Sequence, residues 1–206
     1  QKVPKIRFEG FSDTWVNQTL DSLVDESIRW GFTGGPFGSD LKSEDYTDSG
    51  IRVIQLQNIG DGEFLNTHKI YVSEDKANDL ISCNIYPNEI LISKMGDPVA
   101  RCCLVPQYHS RYVMCSDGIR LVVNKEKYNN FYVFQAINQT IFRKKAISVS
   151  TGSTRKRIGL SELRSLSLMI PKLEEQTQIG NVFQQIDKLI ELQTRAVETA
   201  ETYKNA

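Results

Sequence analysis

After Pro171 the chain runs from Lys172 to Ala206 without another proline and with a single glycine, Gly180. Residues suited to a helical seam recur there in alternating steps of three and four: Ile179, Val182, Ile186, Leu189, Gln193, Ala196, Ala200 and Tyr203. That is a heptad pattern with one polar seam position, sustained over more than three heptads. Glu174 and Glu175 suit the positive end of a helix that starts there. A helix over 174–205 is roughly 48 Å long at 1.5 Å per residue, more than a small domain needs. Such a helix cannot bury its seam against itself, so this tail (171–206) requires a partner and separates from what precedes it (1–170).

Residues 1–170 read as a mixed α+β domain. Five runs have strand character: "IRVIQL" (51–56), "EILISKM" (89–95), "ARCCLV" (100–105), "RYVMC" (111–115) and "IRLVVN" (119–124). All are rich in β-branched or aromatic residues and bounded by Gly, Pro, Asn or Asp. Ser73 is placed to cap a short helix in "SEDKANDLI". "NNFYVFQAINQTIFRKKAI" has apolar residues at 131, 134, 137, 141 and 142, which predicts one helix closing on Arg143, Lys144 and Lys145. Cations in a last turn offset the helix dipole, so that cluster needs no ligand to explain it.

Catalytic signatures are missing. The sequence contains no phosphate loop of the G-x-x-x-x-G-K-[ST] type, no G-x-S-x-G elbow and no H-E-x-x-H. "TGGPFGSD" (33–40) lacks the lysine of a nucleotide loop and reads as a tight turn or a close backbone approach. The spacing from Glu89 to Lys94 does not match a metal-dependent nuclease, and the elements of a DNA methyltransferase are absent. Cys83, Cys102, Cys103 and Cys115 form no C-x-x-C pair, and His68 and His109 are far apart, so no metal site is expected. Cys102 and Cys103 read as small apolar strand residues, which fits a reducing cytoplasm. No apolar run approaches the roughly 20 residues of a membrane span, and the N-terminus has no signal-peptide core. The absence of an initiator Met predicts a processed or trimmed form.

The 25 basic residues balance the 25 acidic ones, but they are segregated. Residues 143–164 carry seven Lys/Arg against Glu162 alone, a local balance of +6, whereas 172–206 carry four basic and six acidic residues. At the centre of the basic stretch is "STGSTRKRIGLSELRSL" (150–166). Arg155, Lys156 and Arg157, with Ser153 and Thr154 as neutral donors, can supply charge-assisted hydrogen bonds to phosphates. Ser161 is the expected N-cap of a short helix pointing at this loop, a second favourable place for phosphate. An ordinary solvated loop is the alternative.

Several stretches resemble the specificity (S) subunit of type I DNA restriction–modification systems. "VPKIRFEGFSDTW" looks like the opening of that family's target recognition domains, "GPFGSDL" like its P-F-G-S-x-L element, and "GIRVIQLQNIGDGEF" like its strand followed by N-I-x-x-G. "NEILISKMGDPVARCCLV" is similar to its D-I-L-[IL]-[ST] strand pair, with Asn88-Glu89 in place of Gly-Asp. The junction "STGSTRKRIGLSELRSLSLMIPKLEEQTQIGNVFQQIDKLI" resembles the passage from recognition domain to conserved helix, with Lys172 where a second proline is usual.

This resemblance implies a non-catalytic subunit that recognises double-stranded DNA and directs methyltransferase (M) and restriction (R) subunits to a bipartite site. S-adenosylmethionine, ATP and Mg then belong to those partner subunits, and none is expected here. A full S subunit has two recognition domains and two helices packed antiparallel, so one domain and one helix make half a subunit. We expect a homodimer through the tail. Candidates for base readout are Lys94, Arg101 and Arg111, which suit guanine, and Gln57 and Asn58, which suit adenine or else satisfy a turn. Two rival readings are a coiled-coil protein-interaction adaptor and the specificity domain of a fused restriction–modification enzyme.

Overall fold

Ile90, Leu91 and Ile92 explain how the domain is layered. Successive strand side chains point to opposite faces. In the computed structural model Ile90 and Ile92 enter one hydrophobic core while Leu91 enters another. Cys102 and Cys103 divide in the same way, so the expected apolar role holds for both thiols. Burying such an isoleucine contributes about 1.5–3 kcal/mol. The structure describes residue 4 and residues 6–204; Val3 and Lys5 of the opening motif and the last two residues of the tail lie outside the described residues.

The chain begins with β1 (Val16–Thr19), β2 (Phe32–Gly34), β3 (Tyr46–Thr47), β4 (Ile51–Ile54) and β5 (Ile70–Val72). There follow α1 (Glu74–Asp79), β6 (Asn84–Ile85), β7 (Ile90–Ser93), β8 (Cys102–Leu104), β9 (Tyr112–Met114) and β10 (Gly118–Leu121). The remainder is α2 (Asn130–Asn138), α3 (Thr140–Val149), α4 (Leu160–Ser165), β11 (Ser167–Ile170) and α5 (Leu173–Lys204). An antiparallel sheet of order β2-β10-β7-β8 stands between two layers. Residues of α2, α3 and α4 pack on one side, and the five-stranded sheet β3-β5-β4-β9-β6 on the other. The latter contains one parallel pair, β4 with β9. This is the mixed α+β architecture expected.

Ser73 caps α1 as expected, its side chain accepting from the Lys76 N–H at 3.1 Å. The helix foreseen across 129–147 is instead two. Gln139 is extended, with φ −69° and ψ 145°, and breaks it into α2 and α3. Arg143 and Lys145 therefore lie along α3, not in a solvated last turn. The Arg143 guanidinium is buried and donates to Asp61 and Asn138, and the Lys145 ammonium donates to the Ser167 carbonyl at 2.8 Å. α4 forms where expected, but Gly159 is its N-cap and Ser161 lies inside the helix, so the capping expectation is corrected.

β1 pairs with β11, Val16 opposite Ile170, which ties an early segment to the one leading into α5. The root of α5 is fixed from several sides. Asn129 donates its backbone N–H to the Gln176 side-chain oxygen at 2.8 Å, and the Gln176 amide donates to the Pro171 carbonyl at 2.9 Å. A Cβ at Gly180 would lie 2.9 Å from the Asn129 side-chain oxygen, so the only glycine of the tail permits close approach of α2. From residue 181 to 204 the helix is exposed.

Candidate nucleic-acid interface

Four segments meet at one end of the sheet that holds β7 and β10. Lys94, just after β7, donates its N–H to the Asp117 carbonyl at 2.7 Å and accepts at its own carbonyl from the Ile158 N–H at 2.9 Å. Gly96 donates to the Lys156 carbonyl at 3.1 Å. Thr151 and Arg157 exchange two backbone hydrogen bonds of 2.8 Å, closing residues 151–157 into a hairpin-like loop. From the other side Gly35, just after β2, donates to the Gly118 carbonyl at 2.9 Å. The glycine-rich loop after β2, the connection 94–101, the turn 115–118 and the loop 151–157 thus form one edge.

The edge is cationic. Ser153, Thr154, Arg155 and Arg157 are exposed, and Lys94 and Lys156 half-buried. Among the described residues, the side chains of Lys94, Ser153, Thr154, Arg155 and Lys156 make no internal hydrogen bond or ion pair, so these groups remain free for an external acceptor. Arg157 is engaged: its guanidinium lies 2.8 Å from an Asp117 carboxylate oxygen. That oxygen is buried and accepts no aligned hydrogen bond, so the contact is a charge contact only. Exposed Asp97 and half-buried Asp117 moderate the positive field. Sequence reasoning missed both carboxylates, because neither has a marker beyond its identity.

The other candidates separate. Arg101 donates to the carbonyls of Ile59, at 2.6 Å, and Leu56, at 3.3 Å, which makes it a brace behind the 94–101 connection and not a free reader. It ties the turn bearing exposed Gln57 to that connection; the Gln57 amide donates to the Gln55 side chain at 3.0 Å. Asn58 is fully buried, accepts from the Gln55 N–H at 2.9 Å and donates to the carbonyls of Leu65 and Thr67. Base readout by Asn58 is therefore corrected to loop closure, because no polar atom of it reaches solvent. Arg111 is on another part of the surface, where it donates to Asn78 at 2.8 Å and pairs with Glu74, and it is not brought to the basic edge. The short helix α4 adds no anion site, since Glu162 occupies its first turn.

The tail presents a second exposed surface. Ile179 packs against the domain's own core, so this seam position is already covered. Val182, Ile186, Leu189, Gln193, Ala196, Ala200 and Tyr203 are exposed. Phe183, Ile190 and Val197, at heptad spacing beside the expected seam, are exposed as well, so the apolar stripe is three rows wide. Among the described residues no helix is long and apolar enough to cross a membrane, and no group of three or more His, Cys, Asp or Glu is placed to hold a metal ion.

Comparison with known proteins gives these surfaces a context. The type I restriction enzyme MjaVIII specificity subunit of Methanocaldococcus jannaschii is 19% identical over 171 residues, covering 81% of this chain and 40% of that protein. The chain thus spans about two fifths of the length of that relative. The type I restriction–modification S subunit of M. genitalium superposes with a TM-score of 0.65 at 18% identity, covering 95% of this chain and 44% of the other. The HsdS subunit of Thermoanaerobacter tengcongensis gives 0.58 at 17% identity over 94% and 42%. The sequence profile of the type I restriction modification DNA specificity domain matches residues 40–202, and the chain belongs to that family.

Proposed function

We propose that this chain recognises double-stranded DNA in a sequence-specific manner and, as the specificity component of a type I restriction–modification complex, directs methyltransferase and restriction subunits to a bipartite site. The observation that carries the reading is the four-segment edge, where, among the described residues, the side chains of Lys94, Arg155 and Lys156 have no internal partner. Phosphate contacts from such a loop set position and orientation on a duplex, while sequence is read by groups reaching base edges. The chain itself is assigned no catalytic step and no cofactor; S-adenosylmethionine, ATP and Mg are assigned to partner subunits. Its place of action is the cytoplasm. The exposed stripe of α5 is assigned to a second helix, supplied in a homodimer by another copy of the chain, which would set two recognition domains at opposite ends of an antiparallel pair.

The test is co-expression with a methyltransferase subunit of such a system, followed by sequencing of methylated adenines. A bipartite methylation motif that requires the chain is expected. Methylation without any motif, or a motif unchanged when the chain is omitted, overturns the proposal.

A further inference from the structure

We propose that Phe37 is a base-contacting residue of the recognition edge, packing its ring on the apolar surface of a base pair next to phosphates held by the 155–157 loop. The inference rests on the DNA-binding reading above and deepens it. Phe37 is 83% exposed. The residues before it are fixed: Pro36 is buried, and Gly35 approaches the 115–118 turn so closely that a Cβ there would be 1.8 Å from the Cys115 carbonyl oxygen. The Asp40 N–H closes the loop on the Phe37 carbonyl at 2.9 Å. The ring is therefore presented to solvent by a loop with little freedom to withdraw it.

The neighbourhood supplies the partner's chemistry. Gly35 is bonded to Gly118, and the same turn carries Asp117, which holds Arg157. An apolar ring thus stands on a segment anchored to the turn that anchors the cationic loop. A protein partner would offer carboxylates to those cations, but a duplex offers phosphates and, within a groove, apolar surface: thymine methyl groups and the faces of base steps. The large apolar side chains exposed on α5 belong to its stripe, a different surface from this one.

The experiment selects duplexes from a random-sequence library with the full chain, then measures affinity of wild type and Phe37→Ala for the enriched duplex and a scrambled one, across a salt series. The expected result is roughly tenfold weaker binding of the enriched duplex by the variant, the scale of removing a single stacking or apolar interaction with a base. Affinity for the scrambled duplex, the salt slope and the thermal midpoint should stay unchanged, because no phosphate contact and no core packing is removed. Phe37→Trp should retain the preference. Wild-type selection with an indifferent F37A variant overturns this inference alone. A variant that loses affinity for both duplexes equally, or loses thermal stability in parallel, also overturns it, by assigning Phe37 to the scaffold. A wild-type chain that enriches no sequence and binds no DNA overturns the functional reading and this inference together.

Discussion

Arg7 and Glu175 form a two-pronged ion pair across the length of the domain, the guanidinium donating to the two carboxylate oxygens at 2.6 and 2.7 Å. Glu175 is only 1% exposed and also accepts from the Trp15 indole N–H at 3.2 Å. The hydrogen bond to that carboxylate, and its charge, hold the Arg7 guanidinium above its usual pKa. The contact joins the segment ahead of β1 to the first turn of α5, and thus fixes the direction in which the helix leaves the domain. Glu175→Ala removes the acceptor of both donors; the thermal midpoint should fall by several degrees, at about 2–4 °C for each kcal/mol of stability removed. Limited proteolysis should then cut near the root of α5. Wild-type stability in this variant would show that the root of the helix is held without this ion pair, through Gln176, Ile179 and Gly180.

The strands were legible where both faces are buried. "EILISKM" and "ARCCLV" contain β7 and β8 because each consecutive side chain there has a core to enter. β1 and β11 were not legible: "VNQT" is mostly exposed and becomes a strand through pairing with residues 167–170, a contact with no local signature. The break at Gln139 also lacks a Gly or Pro marker. The site divides in the same manner. Its charge could be read directly, but the side chains that charge-based reasoning misassigned, Arg143 and Arg101, take partners distant in the chain that no local pattern announces.

Asn58 provides a direct separation of folding from reading. Asn58→Ala leaves the Gln55 N–H and the Leu65 and Thr67 carbonyls without their partner, a destabilisation of about 1–3 kcal/mol. Urea unfolding should show that decrease, while the folded variant selects the same DNA sequence as wild type. A changed sequence preference at unchanged stability would return Asn58 to the reading surface.

Arg155, Lys156 and Arg157 should govern the salt dependence of DNA binding. Replacing all three with Ala removes about 2–3 units from the slope of log affinity against log salt, near 0.9 unit for each phosphate no longer neutralised. Asp117 tunes one of the three by neutralising Arg157 at 2.8 Å. Asp117→Asn should release that guanidinium, tighten non-specific binding and steepen the slope by about one unit. An unchanged slope in the triple variant removes the loop from the interface.

The four thiols should be unreactive in the native chain. Burial pushes Cys103 up to about 12 and Cys115 up to about 11, and raises Cys83 and Cys102 as well. The thiolate is the reactive form, so modification by a disulfide reagent at pH 8 should be at least about tenfold slower than in guanidinium-unfolded chain. Cys83, Cys102 or Cys103 reacting natively at the unfolded rate would contradict its buried placement.

The stripe on α5 makes a prediction about pairing that depends on register. An antiparallel pair of these helices that sets Leu189 opposite Gln193 also sets Ile186 opposite Ala196 and Val182 opposite Ala200 of the other copy. Large residues then meet small ones along the seam, the alternation that fills an interface without voids. Tyr203 would arrive beside a cleft of about 370 Å³ lined by Trp15, Tyr132, Val182 and Phe183 at the helix root. Gln193 would face Leu189 of the other copy, and a polar seam residue of that kind selects register at a cost in stability. Leu189→Glu should abolish association in sedimentation at micromolar concentration. Gln193→Leu should strengthen association but admit other registers or oligomers, broadening the sedimentation profile. If the wild-type chain sediments only as a monomer, the stripe is reserved for a helix from another protein, and the homodimer is excluded.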